Sequence, residues 1–125
     1  SLLKQYKGEW EFDTNWKMIF GHPKKAGWIK AIQEAQQTVQ KGLKLDCPIL
    51  VMSSNKSFPE TETWHEEYMT SDIVLDVQDI QKYGEKLGDK VTRDTIPNGI
   101  HDLILSQKPY RNDAYQTIFE WLKKQ

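Results

Sequence analysis

From Gly27 to Lys41 the apolar positions are Trp28, Ile32, Ala35 and Val39, three or four residues apart on a polar background. That spacing predicts an amphipathic helix, and Gly42 stands where a left-handed C′ glycine would close it. The period then changes. "CPILVMSS", residues 47–54, is a short apolar run flanked by Pro48 and a polar cluster, which predicts a parallel-sheet strand buried on both faces. About 18 polar residues follow, Ser54 to Ser71, with Trp64-His65-Glu66-Glu67-Tyr68 among them, and these read as a long loop. A second helix is expected from Asp76 to Leu87, with Asp76 as N-cap, Val77, Ile80, Tyr83 and Leu87 as its stripe, and Gly88 at its end. "KVTRDTI", residues 90–96, reads as another strand, and Pro97-Asn98-Gly99 turns the chain. His101 and the apolar run Leu103–Leu105 come next. A last helix is expected from Pro109 to Lys123 on the stripe Tyr115, Ile118, Phe119 and Leu122.

From residue 47 onward the order is strand, loop, helix, strand, loop, helix, which implies an α/β fold with right-handed crossovers and a parallel sheet. Two strands leave both sheet edges open and bury little, so the chain reads as half of a domain. Residues 1–25 carry five aromatics, Tyr6, Trp10, Phe12, Trp16 and Phe20, without a clean period. Trp10, Trp16, Phe20 and Trp28 are expected in the core, or else lining a lid. If no partner covers the sheet, residues 1–25 are expected to fold across it, as the free apolar material of sufficient size. There is no internal repeat, low-complexity tract or linker-like segment.

Composition narrows the function classes. Seventeen Lys+Arg against 18 Asp+Glu give a net charge of −1, which offers no electrostatic case for a nucleic acid or an anionic membrane. No apolar stretch approaches the roughly 18 residues that span a bilayer, and the first residues lack the pattern of a secretion signal. The single cysteine, Cys47, rules out an internal disulfide framework and suits a reducing compartment; it is expected to be a buried thiol. The expected location is cytoplasmic.

The stretch 47–122 resembles the C-terminal third of an α/β-hydrolase, in the serine aminopeptidase and monoacylglycerol-lipase-like branch. "CPILVMSS" resembles the penultimate strand, "SDIVLDVQDI" the acid loop entering a helix, "KVTRDTIPNGIHDLILS" the last strand and histidine loop, and "YQTIFEWLKK" the closing helix. Residues 1–46, with Gly8-Glu9-Trp10 and "AGWIKAIQEAQQTVQKGL", resemble the lid-proximal segment and connecting helix. The resemblance makes residues 47–125 the C-terminal part of the domain. It implies a lysophospholipase-like esterase, thioesterase or amidase acting on a small acyl substrate through an acyl-enzyme, without metal or organic cofactor.

In that family the catalytic triad runs nucleophile, acid, histidine along the chain. The resemblance puts the histidine on His101 and the acid on Asp72. Asp76 competes for the acid role, although a helix start already gives it a structural job. Asp102 is poorly placed to fold back onto its neighbour's ring. Histidine suits the role because it exchanges protons near neutrality, and the acid would hold the ring in one tautomer. The nucleophile is where the pattern departs. The glycines stand at 8, 21, 27, 42, 84, 88 and 99, and none frames a serine as Gly-x-Ser-x-Gly. The serine and the oxyanion-hole amides are therefore expected from a missing N-terminal half, either upstream in a longer enzyme or on a separate chain, and residues 1–125 alone are expected to be inactive. The competing reading is a non-catalytic module that keeps the fold for binding, and either form could associate through its open sheet edge.

Plainer readings cover the remaining candidates. Glu62, His65 and Glu66 have metal-ligand spacing if their loop holds a helical turn, but such trios are common by chance in an acidic loop. That loop is better read as an insertion at a pocket rim. His22, beside Pro23, is expected to be structural.

Overall fold

A computed structural model describes residues 3–4, 8–17, 21 and 23–125. Tyr6, Phe20 and His22 lie outside the described residues. Among these residues three α-helices and two strands run in the order α1 (Ala26–Lys41), β1 (Ile49–Ser54), α2 (Val77–Gly84), β2 (Val91–Ile96) and α3 (Lys108–Leu122). Short 3-10 turns cover Glu66–Met69, Glu85–Leu87 and Leu103–Leu105. The chain is α/β in general kind.

β1 and β2 are parallel, in register from Ile49 opposite Val91 to Ser54 opposite Ile96. Side chains alternate across a strand, and the contacts show which face each helix takes. Val51 and Ser53 meet α2: the Val51 methyls lie against Gly84, and Gln81 Nε2 donates to Ser53 Oγ at 2.8 Å. Leu50 and Met52 share an open groove with Ala114, Ile118 and Trp121 of α3, and Trp121 Nε1 donates to Thr92 Oγ1 at 3.1 Å. The two helices therefore flank opposite faces of the ribbon.

Local chemistry explains the element boundaries. Asp76 caps α2, its Oδ1 accepting from the Gln78 amide at 2.9 Å. After Gly84 the helix tightens into the 3-10 turn that ends at Leu87. Gly88 then passes so close to the Leu45 carbonyl that no Cβ fits there, so its job is close approach and its backbone is extended. Gly42 closes α1 with a positive φ, +100°, but its ψ of 136° is extended and not the left-handed conformation expected of it; its amide bonds the Val39 carbonyl at 2.9 Å. Beyond β2, Asn98 takes φ +59° in a turn closed by Gly99 N–H to Ile96 O at 3.1 Å. Pro97 before it and the positive φ suit a type II turn.

Burial corrects several expectations. β1 is half-buried from Ile49 to Met52 and fully buried only at Ser53 and Ser54, because among the described residues it has one neighbouring strand instead of two. Cys47 is exposed, since it lies ahead of β1 in the turn before Pro48. Trp16 and Trp28 are 88% and 53% exposed; they are not core. The expected α3 stripe is also displaced. Ile118 is half-buried, but Tyr115, Phe119 and Leu122 face outward, and the packed side is Tyr110, Ala114, Ile118 and Trp121. Nor do the described residues of 1–25 make a recorded hydrogen bond or ion pair with either strand. Instead, Glu9 and Trp10 dock at the start of α3. The α2 stripe of Val77, Ile80, Tyr83 and Leu87 is half-buried throughout, as its spacing predicts.

Buried apolar residues among those described are Leu3, Ile96 and Ala114, whereas Ile32, Leu75, Val74 and Phe119 are exposed.

Candidate functional site

In open α/β sheets ligands collect outside the carboxyl ends of the strands, and here both loops of interest leave from those ends. The loop after β1 runs to Asp72. Its course is held by backbone bonds from Asp72 N to Lys56 O at 3.0 Å and from Phe58 N to Asp72 O at 2.9 Å. Ser57 Oγ adds two more ties, donating to Leu75 O at 3.0 Å and accepting from Val77 N at 2.8 Å. The loop after β2 leaves through the Pro97-Asn98 turn, where the Asn98 amide donates to Asn55 Oδ1 at 3.0 Å. The two loops are thus joined to each other as well as to adjacent strands.

Asp72 and His101 meet between them. His101 Nδ1 lies 2.8 Å from Asp72 Oδ2, although 29 residues separate the two. Asp72 is 1% exposed. Its other oxygen, Oδ1, accepts from the amides of Val74 at 2.8 Å and Leu75 at 2.9 Å. Those donors fix the carboxylate plane and turn Oδ2 toward the ring. A carboxylate can only accept, so Nδ1–H is the donor and Nε2 keeps its lone pair in the neutral imidazole. The His101 side chain is 41% exposed. The ring lines the open groove of about 630 Å³ formed with Leu50, Met52, Leu103, Ile118 and Trp121.

The histidine loop has its own support. The Ile100 amide, one residue before the ring, donates to the buried Ser106 Oγ at 3.0 Å. At Gly99 a Cβ would fall 2.6 Å from Leu103 Cδ2, so a larger residue there would have to push that side chain aside.

The other candidates are placed differently. Asp76 serves as the α2 cap, with no bond to His101. Asp102 is exposed and lines the same groove beside His101. His65 Nε2 bonds Thr63 Oγ1 at 3.2 Å, and its ring packs against Phe58 and Tyr68. Among the described residues no group of three His, Cys, Asp or Glu side chains is placed to hold a metal ion, and Glu62, His65 and Glu66 do not converge. Tyr68 instead organises the loop, its hydroxyl accepting from the Thr61 amide at 2.7 Å. The supports at Ser57 and Ser106 were missed in the sequence. Serines carry no periodic signal, and both bonds depend on where distant loops end.

No protein family, curated protein or solved structure matches this chain. No helix among the described residues is long and apolar enough to cross a membrane.

Proposed function

We propose that this chain supplies the acid and the general base of an α/β-hydrolase-type serine hydrolase whose nucleophile lies on polypeptide outside residues 1–125. The observation that carries the reading is the buried Asp72 carboxylate, gripped by two amides and bonded to Nδ1 of a part-exposed His101. That arrangement suits a base, because Nδ1 is occupied and Nε2 retains the lone pair that accepts a proton.

In the reaction, His101 Nε2 takes the serine hydroxyl proton as the oxygen attacks the acyl carbon. The imidazolium so formed is stabilised by Asp72 and returns the proton to the leaving group as the tetrahedral intermediate collapses. Water then enters, gives its proton to the same nitrogen and releases the acid, restoring the serine. The groove walls Leu50, Met52, Ile118 and Trp121 are apolar, which favours an ester, thioester or amide of a small apolar acyl group.

The test is made on the polypeptide that continues upstream of Ser1, or on the companion chain that copurifies. It should contain Gly-x-Ser-x-Gly, react with a fluorophosphonate probe and hydrolyse short-chain nitrophenyl esters. His101→Ala should remove both reactions while leaving the circular dichroism spectrum unchanged. Absence of the serine motif, or undiminished labelling in His101→Ala, would sink the enzyme and favour a binding module that retains the His–Asp pair as a loop tie.

A further inference from the structure

The N-terminal segment reaches the far side of the histidine loop. Glu9 spans 99 residues of sequence to accept, through Oε1, from the Lys108 amide at 3.0 Å. That amide belongs to the first turn of α3, whose flanking residue Gln107 makes no side-chain cap. Glu9 Oε2 pairs with Arg111 NH2 at 3.1 Å. The guanidinium lies 4.7 Å from the centre of the Trp10 ring, and NH1 donates to the Ser106 carbonyl at 3.2 Å. Trp10 Nε1 donates to the neighbouring Leu105 carbonyl at 3.1 Å. The segment also approaches the acid loop: Gly8, Glu9, Trp10, Met69, Leu105 and Ser106 enclose a small cavity of about 70 Å³.

These contacts form one continuous chain of bonds. Glu9 holds Arg111, Arg111 holds the Ser106 carbonyl, and Ser106 Oγ holds the Ile100 amide beside His101. Arg111 is mostly buried, with a side chain 16% exposed, so screening weakens this pair less than a fully exposed one. The planar guanidinium makes two differently directed bonds while stacking on an indole, which lysine could not do. We infer that Glu9 and Trp10 are positioning residues for the His101–Asp72 pair, acting through Arg111 and Ser106 to fix where the imidazole sits. The inference rests on the geometry of the pair and not on its catalytic use.

The test reads the imidazole directly, by nuclear magnetic resonance of this chain with ring-labelled histidine. Exchange of the His101 Nδ1 proton with water reports how often the bond to Asp72 opens. Glu9→Ala and Ser106→Ala should each speed that exchange about three- to tenfold, the effect of losing one hydrogen bond of ordinary net strength. Ser106→Thr, which keeps the hydroxyl, should restore the slow rate. Glu11→Ala is the control, since it removes an equal charge from the same segment, where Glu11 pairs with exposed Lys4 and, among the described residues, with nothing on the histidine loop. Amide protection across Ile49–Ser54 should stay the same in every variant, which separates local opening from general loosening. Unchanged His101 exchange in Glu9→Ala would overturn the inference, and so would an equal change in Glu11→Ala. A parallel loss of strand protection would also overturn it, because Glu9 would then be merely structural. Failure of the esterase test leaves these outcomes untouched.

Discussion

Replacing Asp72 by asparagine separates the two jobs of its carboxylate. Oδ1 holds the Val74 and Leu75 amides, and an amide oxygen in the same place can hold them too. Oδ2, which faces His101 Nδ1 at 2.8 Å, becomes an NH₂ donor. Two donors cannot share that contact, so the ring must move its proton to Nε2 and accept at Nδ1. A charge-assisted bond then becomes a neutral one, costing about 1 kcal/mol of stability, because charged bonds contribute roughly 1.5–3 kcal/mol and neutral ones about 1. Asp72→Ala also abandons the two amides and should cost about 3 kcal/mol. For a domain of this size roughly 4 °C of melting temperature accompanies each kcal/mol, so the drops should be about 4 and 12 °C. Asp76→Asn should lower it by no more than about 2 °C, since asparagine caps a helix as well as aspartate does. The assay is thermal circular dichroism, with nitrogen-15 imidazole spectra to assign the tautomer. If Asp72→Asn leaves His101 protonated on Nδ1, or if Asp76→Asn is the more damaging change, the acid assignment is wrong.

Three further outcomes follow from the packing. Gly84→Ala gains helix propensity worth about 1 kcal/mol, but its Cβ would sit 2.8 Å from Val51 Cγ1. Overpacking costs about 1–3 kcal/mol, so a lower melting temperature is expected, and a higher one would show that Val51 yields. Cys47, being exposed, should react with Ellman's reagent in native buffer as fast as in denaturant; protection would restore the buried thiol. Sedimentation of the isolated chain should show self-association, and a hydrophobic dye should bind it. A dilute compact monomer with a cooperative melt and no dye binding would show that 125 residues suffice.

Much of the secondary structure was legible because it rests on short-range signals. The change of period between Val39 and Ile49, the Asp76 cap and the Pro97-Asn98-Gly99 turn are all local, and each element lies within a few residues of its predicted bounds. Burial was less legible, because it depends on partners. Tyr115, Phe119 and Leu122 have the same apolar character as Ile118 and Trp121, and periodicity cannot say which side of α3 meets the sheet. The encounter of Asp72 with His101 was anticipated from the family resemblance and parallel topology. Its supports were not: Glu9, Ser57 and Ser106 act across gaps that no local pattern spans.

The two strands also differ in a way that indicates which side of the ribbon is unfinished. β2 reads Val-Thr-Arg-Asp-Thr-Ile, and its four central side chains are exposed. Arg93 is paired with Glu85, and Asp94 sits at the next position. Charges on a strand are the usual protection of a true sheet edge. β1 has no charge between Ile49 and Ser54 and offers apolar side chains to both faces, the composition of an interior strand. Yet among the described residues it too pairs on one side only. An interior-type strand left at an edge exposes unpaired amides beside apolar surface. A strand that extended this sheet would therefore be expected on the free edge of β1, opposite the edge that β2 occupies. In the proposed enzyme, polypeptide added there would extend the sheet from the strand whose loop carries Asp72, beside the ends where Asp72 and His101 already meet. On the proposed function, one such addition would both cover the apolar strand and bring a nucleophile toward His101.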